Sequence, residues 1–200
     1  MEQVKDELLE FWFGDDPDDA SVAADKAELW WGHNPETDEL LREKFGTAAS
    51  AASVGILDHW AGSPRGRLAL ILLLDQIPRV VHRGLPEAFA MDLDARKFAS
   101  QGLESGADRL LRPIERVFFY LPFEHSEELE DQERSVELFR ELVNGVPAEH
   151  RETFASFLDY ATRHREVIAQ FGRFPHRNII LARESTPEEK AFLEQPGSSF

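Results

Sequence analysis

Three stretches of this chain concentrate side chains that could move a proton or grip an anion. In the first, Leu74-Asp75-Gln76-Ile77-Pro78-Arg79-Val80-Val81-His82-Arg83, an apolar run delivers polar groups to one end, where they could orient a ligand. Asp75 and Arg79, four residues apart, could equally pair and close a helix terminus. In the second, Leu121-Pro122-Phe123-Glu124-His125-Ser126-Glu127-Glu128, a helix starting here would bring Glu124, His125 and Glu128 together around one proton or cation. Carboxylates in a first helical turn also simply suit the helix dipole, which leaves His125 the residue needing an explanation. The spacing is neither His-Glu-x-x-His nor a di-iron Glu-x-x-His pair, so no metal is assigned.

The third stretch carries the strongest signal. From Arg163-His164-Arg165 through Phe171-Gly172-Arg173-Phe174-Pro175-His176-Arg177-Asn178 to Arg183, arginines and histidines outnumber acids in a chain whose formal charge is −16. Guanidinium groups bind carboxylate or phosphate through a flat donor fork, so this segment is the natural anion site. The bland alternative is that its arginines pair with surplus carboxylates and tie helices together.

These residues need a scaffold, and the hydrophobic period is helical almost throughout, so the fold class is all-α. The pattern predicts helices over Gln3–Phe13, Ala20–Trp31, Thr37–Val54, Pro86–Gln101, Leu111–Tyr120, Phe123–Val143 and Pro147–Phe171. Leu68-Ala69-Leu70-Ile71-Leu72-Leu73-Leu74 is apolar on every side, which predicts a helix surrounded by others, ended by Pro78. Thr186-Pro187-Glu188-Glu189 is a capping box opening a last helix, Pro187–Glu194. One domain over residues 1–194 and a loose tail over 195–200, with Phe200 free to dock or not, complete the reading. Phe11-Trp12-Phe13 and Trp30-Trp31 sit beside apolar positions and are assigned to the core rather than to ligand stacking.

Composition narrows the function classes. Two hundred residues with 42% hydrophobic content can bury a core, and the acidic balance disfavours nucleic acid and anionic lipid as partners. There is no cysteine, hence no thiolate chemistry, and no Gly-rich phosphate loop or Gly-x-Ser-x-Gly elbow. An acidic start and the short longest apolar run give no targeting or membrane signal, so a cytoplasmic location is the default expectation.

The same segments, with Phe11-Trp12-Phe13-Gly14, Trp30-Trp31, Leu74-Asp75-Gln76-Ile77-Pro78-Arg79, Glu124-His125-Ser126-Glu127, the octet Phe171 to Asn178 and Glu184-Ser185-Thr186-Pro187-Glu188-Glu189, resemble the bacterial DUF924 family of the tetratricopeptide-like superfamily. The resemblance implies stacked antiparallel helical hairpins and no particular reaction. It departs at Val80 and His82, where the family commonly has Asn and a Tyr-like aromatic, and at Ala182, where it commonly has Gly.

The leading expectation is a polar pocket for a small anionic metabolite. It assigns His125 or His176 as general base, Glu124 as proton-sharing partner, and Asp75, Arg79, Arg173, Arg177 and Asn178 as ligand-binding groups. A hydrolase or lyase without a cofactor fits those parts. The alternatives are a peptide-binding module whose Arg173 and Arg177 receive an acidic partner, and a polar cluster that is purely structural.

Overall fold

A computed structural model describes residues 2–198, which leaves Phe200 outside the described residues. Among them there is no strand; ten α-helices and short 3-10 turns follow one another: α1 Glu2–Phe13, α2 Asp19–Trp31, α3 Pro35–Ser53, α4 Pro64–Ile71, α5 Ile77–Val81, α6 Asp92–Ser105, α7 Pro113–Glu124, α8 Leu129–Gly145, α9 Arg151–Phe171 and α10 Pro187–Leu193. Side-chain caps set several starts: Asn34 accepts from the N–H of Glu36 and Thr37, Ser63 from Gly66, and Thr186 with Glu189 closes the expected box. No helix among the described residues is long and apolar enough to cross a membrane.

The all-apolar run is central, as its pattern requires: every residue from Leu68 to Leu74 is buried. Pro78, however, does not end that helix. The chain widens into a π-helical turn over Leu72–Gln76, in which the Ile77 N–H reaches back to the Leu72 carbonyl, and continues helically to Val81. The extra residue in this turn lets a proline without an N–H enter at the start of a new helical turn instead of clashing inside an old one. The turn is buried and carries Asp75 and Gln76.

Pro122 likewise lies inside α7 rather than before a new helix. Consequently Glu124 and His125 end α7 while Glu128 caps α8, and the three do not share the single helix face expected for them. Residues Pro86–Phe89 form only a 3-10 turn, with α6 starting at Asp92.

α7 is the aromatic axis of the core. Phe118 lies 5.6, 5.4 and 4.7 Å from the rings of Trp12, Phe13 and Trp30, and the Trp30 indole N–H donates to the Trp12 carbonyl at 3.0 Å, so α1 and α2 are fixed on α7. At the end of α9, Gly172 takes a left-handed conformation (φ 68°) that turns the chain, and Phe174 and Arg183 of the following segment both donate to Glu127, between α7 and α8. Ala182 also has φ 52°, an unfavourable conformation for alanine and a physical reason for glycine at this position in the resembling family. The last described residues are packed: Ser198 is buried and Arg163 donates to the Gly197 carbonyl at 3.3 Å.

α6 reaches α7 through Gly102, where a Cβ would run into the buried Phe119 ring and meet Arg67 Cδ at 2.7 Å. Helix propensity alone would make Gly102→Ala stabilising by about 1 kcal/mol, whereas overpacking costs about 1–3 kcal/mol. Chemical denaturation is expected to show a net loss of stability; a gain would refute this close approach.

Candidate functional site

A cavity of about 810 Å³ opens between α2, α9, the end of α5 and the 176–180 segment, with the end of α7 at its base. Arg79, Glu124, His125, His176 and Arg177 all line it, so the structure brings five of the sequence-predicted residues from three segments to one place. Asp75 stands directly behind them, fully buried. Its Oδ1 is 2.8 Å from His125 Nδ1 and 3.2 Å from Arg79, and its Oδ2 accepts from the Gln76 amide at 2.6 Å. Arg79 also forks onto Asp92 at 2.9 and 3.0 Å, and Arg177 lies 3.7 Å from the same carboxylate. Four buried or half-buried charges therefore alternate in sign along the wall.

Their protonation states follow from this arrangement. Burial alone would raise the Asp75 carboxyl, but Arg79 and His125 hold it well below the ordinary carboxylate range. Burial works against the Arg79 charge too, and Asp75 and Asp92 outweigh it. His125 is pulled below the usual imidazole value by burial and the Arg79 charge, despite Asp75. It is then a neutral imidazole at neutral pH whose Nδ1–H points at Asp75. Its Nε2 makes no hydrogen bond to any described residue. Burial pushes Glu124 up to about 8, with the Asp75 charge adding to it, so this side chain is a carboxylic acid at pH 7. His164 Nδ1 is 2.9 Å from the Tyr160 carbonyl and 3.2 Å from Glu124 Oε1; burial brings its pKa down to about 3. His176 falls to about 4 through burial and the Arg177 charge.

Arg177 differs from the other arginines of its segment. It is buried, its guanidinium lies 4.6 and 4.5 Å from the Phe89 and Phe174 ring centroids, and its Nε is buried without a hydrogen-bond partner among the described residues. Burial and then Arg79 lower its pKa to about 10, which leaves it a cation at neutral pH.

Arg173 and Asn178 lie elsewhere. Arg173 is bound by Glu189 at 2.6 and 2.8 Å and by the Glu184 carbonyl at 2.8 Å. Asn178 donates to Ser185 and Glu189 and accepts from Arg183, which forks onto Glu127 at 2.7 and 2.9 Å. This network fastens α10 and the 173–183 segment to the start of α8. Neither Arg173 nor Asn178 lines the cavity. The arginine island is thus split: Arg177 faces the cavity, while Arg173 and Arg183 follow the bland alternative.

Several lining residues lay outside the sequence-based assignment. His164 and Gln76 were visible inside the marked stretches. Ala20, Ala23, Ala24 and Ala27 on α2 have helical spacing and form an apolar wall. Trp31, assigned to the core, is half exposed and lines the cavity while stacking on Phe118 at 5.7 Å. Asp92 gave no signal at all. No group of three or more His, Asp or Glu side chains among the described residues is arranged to hold a metal ion.

Fold and site together define an all-helical protein whose helices line a cavity with a carboxyl, imidazoles and a guanidinium at one end. The chain belongs to the DUF924 family, described as bacterial protein of unknown function, which it matches over residues 8–197. It is similar to the solved structure of a protein of unknown function, ATU0120 from Agrobacterium tumefaciens, at 38% identity and a TM-score of 0.75, over 88% of this chain and 99% of that one. Among curated proteins, none matches it.

The buried acid has a thermodynamic signature. Glu124 is raised from 4.5 to about 8, so between these values the folded state binds more protons than the unfolded one, and stability falls as pH rises. The lowered histidines act in the opposite sense, but only below their ordinary value of 6.5. Between about pH 6.5 and 8, thermal melts of the wild type are expected to lose stability that Glu124→Gln retains. Parallel curves for the two proteins would contradict a buried neutral carboxyl.

Proposed function

We propose that the cavity binds a small organic anion and acts on it as a cofactor-independent hydrolase or lyase. The single observation that carries this reading is Arg177: a buried cation lining the cavity whose guanidinium makes no hydrogen bond among the described residues, with Asp92 no nearer than 3.7 Å. Such donors are costly to leave unmade, and an anionic ligand supplies what the described residues do not. Asp92 compensates Arg177 only in part, because Arg79 already holds that carboxylate through both oxygens.

The neighbouring groups then take chemical roles. Asp75 accepts from Nδ1–H of His125 and so fixes the tautomer with an Nε2 lone pair available to the cavity. That nitrogen removes a proton from a water molecule attacking the substrate, or from a carbon beside its carboxylate. Glu124, protonated at neutral pH, gives its proton to the departing oxygen or nitrogen. The proton gained by His125 and the one lost by Glu124 balance, and exchange through solvent resets the pair. His125 is taken as the base rather than His176 because Asp75 accepts from its Nδ1–H and leaves Nε2 as the basic nitrogen. Arg173, on which the peptide-binding alternative also rests, is already engaged by Glu189.

Calorimetric titration with a panel of small carboxylates tests the reading. Arg177→Gln is expected to weaken binding by about 10- to 100-fold, the worth of a lost charge-assisted hydrogen bond, while Arg173→Gln leaves affinity within about twofold. Equal affinity in wild type and Arg177→Gln would remove the anchor from the account.

A further inference from the structure

The cavity is much larger than the charged end requires, and its composition is not uniform. At about 810 Å³ it lies in the upper part of the range, about 300–1,000 Å³, that encloses a whole drug-sized ligand. The bare headgroup of a small anion would fill only the Arg177 end. α9 serves as a ruler for the rest: Thr153, Ser156, Phe157, Tyr160 and His164 all face the cavity, and the rise from Thr153 to His164 is about 16 Å.

Thr153, Ser156 and Tyr160 bring hydroxyls to that ruler, but the carboxyl and imidazole groups lie at one end of it. The His164 end carries Glu124 at 3.2 Å and the His125 ring at 6.5 Å. Two turns away, Phe157 sits 6.3 Å from Trp31, opposite the alanine face of α2. Ala20, Ala23, Ala24 and Ala27 occupy one stripe at helical spacing where bulkier side chains would close the space. The wall there offers no charge to a second polar group of a ligand.

The charged end also limits the head. Asp75, Arg79, Asp92 and Arg177 alternate in sign, so their formal charges cancel, and Arg83 is paired with Asp38 at 3.0 Å. A site of this balance suits one negative charge better than two, and the planar guanidinium fork matches a carboxylate.

Resting on the anion-binding reading above, we infer that the ligand is an amphiphilic monocarboxylate, with its carboxylate at Arg177 and an unbranched apolar tail lying along the alanine face of α2 toward Trp31 and Phe157. Every methylene of such a tail that leaves water for the alanine, Trp31 and Phe157 surfaces is worth roughly fourfold in affinity.

The experiment titrates the full chain with butanoate, hexanoate, octanoate and decanoate, below their micellar concentrations, by calorimetry and by tryptophan fluorescence. Wild-type affinity is expected to rise by roughly fourfold per methylene. Ala27→Phe, or Ala24→Phe if the first variant melts early, is expected to weaken decanoate by at least about tenfold and butanoate by less than about twofold, because the inserted ring occupies only the tail space. Inorganic phosphate is expected to bind more weakly than octanoate. Affinity independent of chain length, yet lost in Arg177→Gln, would overturn the tail and leave the anion site standing. Chain-length dependence that survives Arg177→Gln, or is matched by the corresponding alcohols, would instead overturn the anion site itself. No binding by any acid would overturn both.

Discussion

The rest of the site depends on one buried charge. Asp75 has no solvent exposure, and an ionised carboxylate in that position is tolerable only if its charge is balanced and both oxygens are engaged. Arg79, His125 and the Gln76 amide do this, and each is thereby held in place. Arg79 in turn holds Asp92 at the start of α6, and Asp92 steers Arg177. A single carboxylate thus ties the end of α7, the continuation of the central helix, the start of α6 and the 175–177 turn into one geometry. Removing it would leave Arg79 with Asp92 as its one carboxylate partner among the described residues and let the imidazole choose either tautomer.

The position of Asp75 is itself a backbone matter. In a continuous α-helix across residues 64–81, Pro78 would clash with the preceding turn; the π-helical turn at Leu72–Gln76 absorbs one residue and resolves the conflict. Such turns are frequent at functional sites, because they redirect side chains without breaking the rod. Here the redirected residues are Asp75 and Gln76. Their depth in the core makes the geometry rigid, and the same depth keeps Glu124 protonated and the histidines neutral.

Most of the fold was legible in the sequence because helical period and caps are local. The buried run Leu68 to Leu74, the glycine after α9 and the Thr186 box all sit where their chemistry puts them. The two prolines misled for a shared reason: local sterics argue for a break, but packing around Pro78 and Pro122 supports helix on both sides. At the site, residue types were legible and partnerships were not. Arg173 and Arg177 look alike in the octet, and only tertiary structure decides that Glu189 takes one while the cavity receives the other. Asp92 could not be found because nothing in its neighbourhood distinguishes it from other acids at helix starts. The α2 alanines were legible in principle, since their spacing is helical, but a small-residue face signals space only once the opposite wall is known.

The proposed chemistry requires His125 to be a neutral imidazole oriented by Asp75, and nitrogen NMR of the histidine side chains measures this directly. At pH 7 the His125 imidazole is expected to be uncharged, with its proton on Nδ1 and a strongly hydrogen-bonded signal that disappears in Asp75→Asn. An imidazolium at pH 7, or a neutral ring protonated on Nε2, would contradict it.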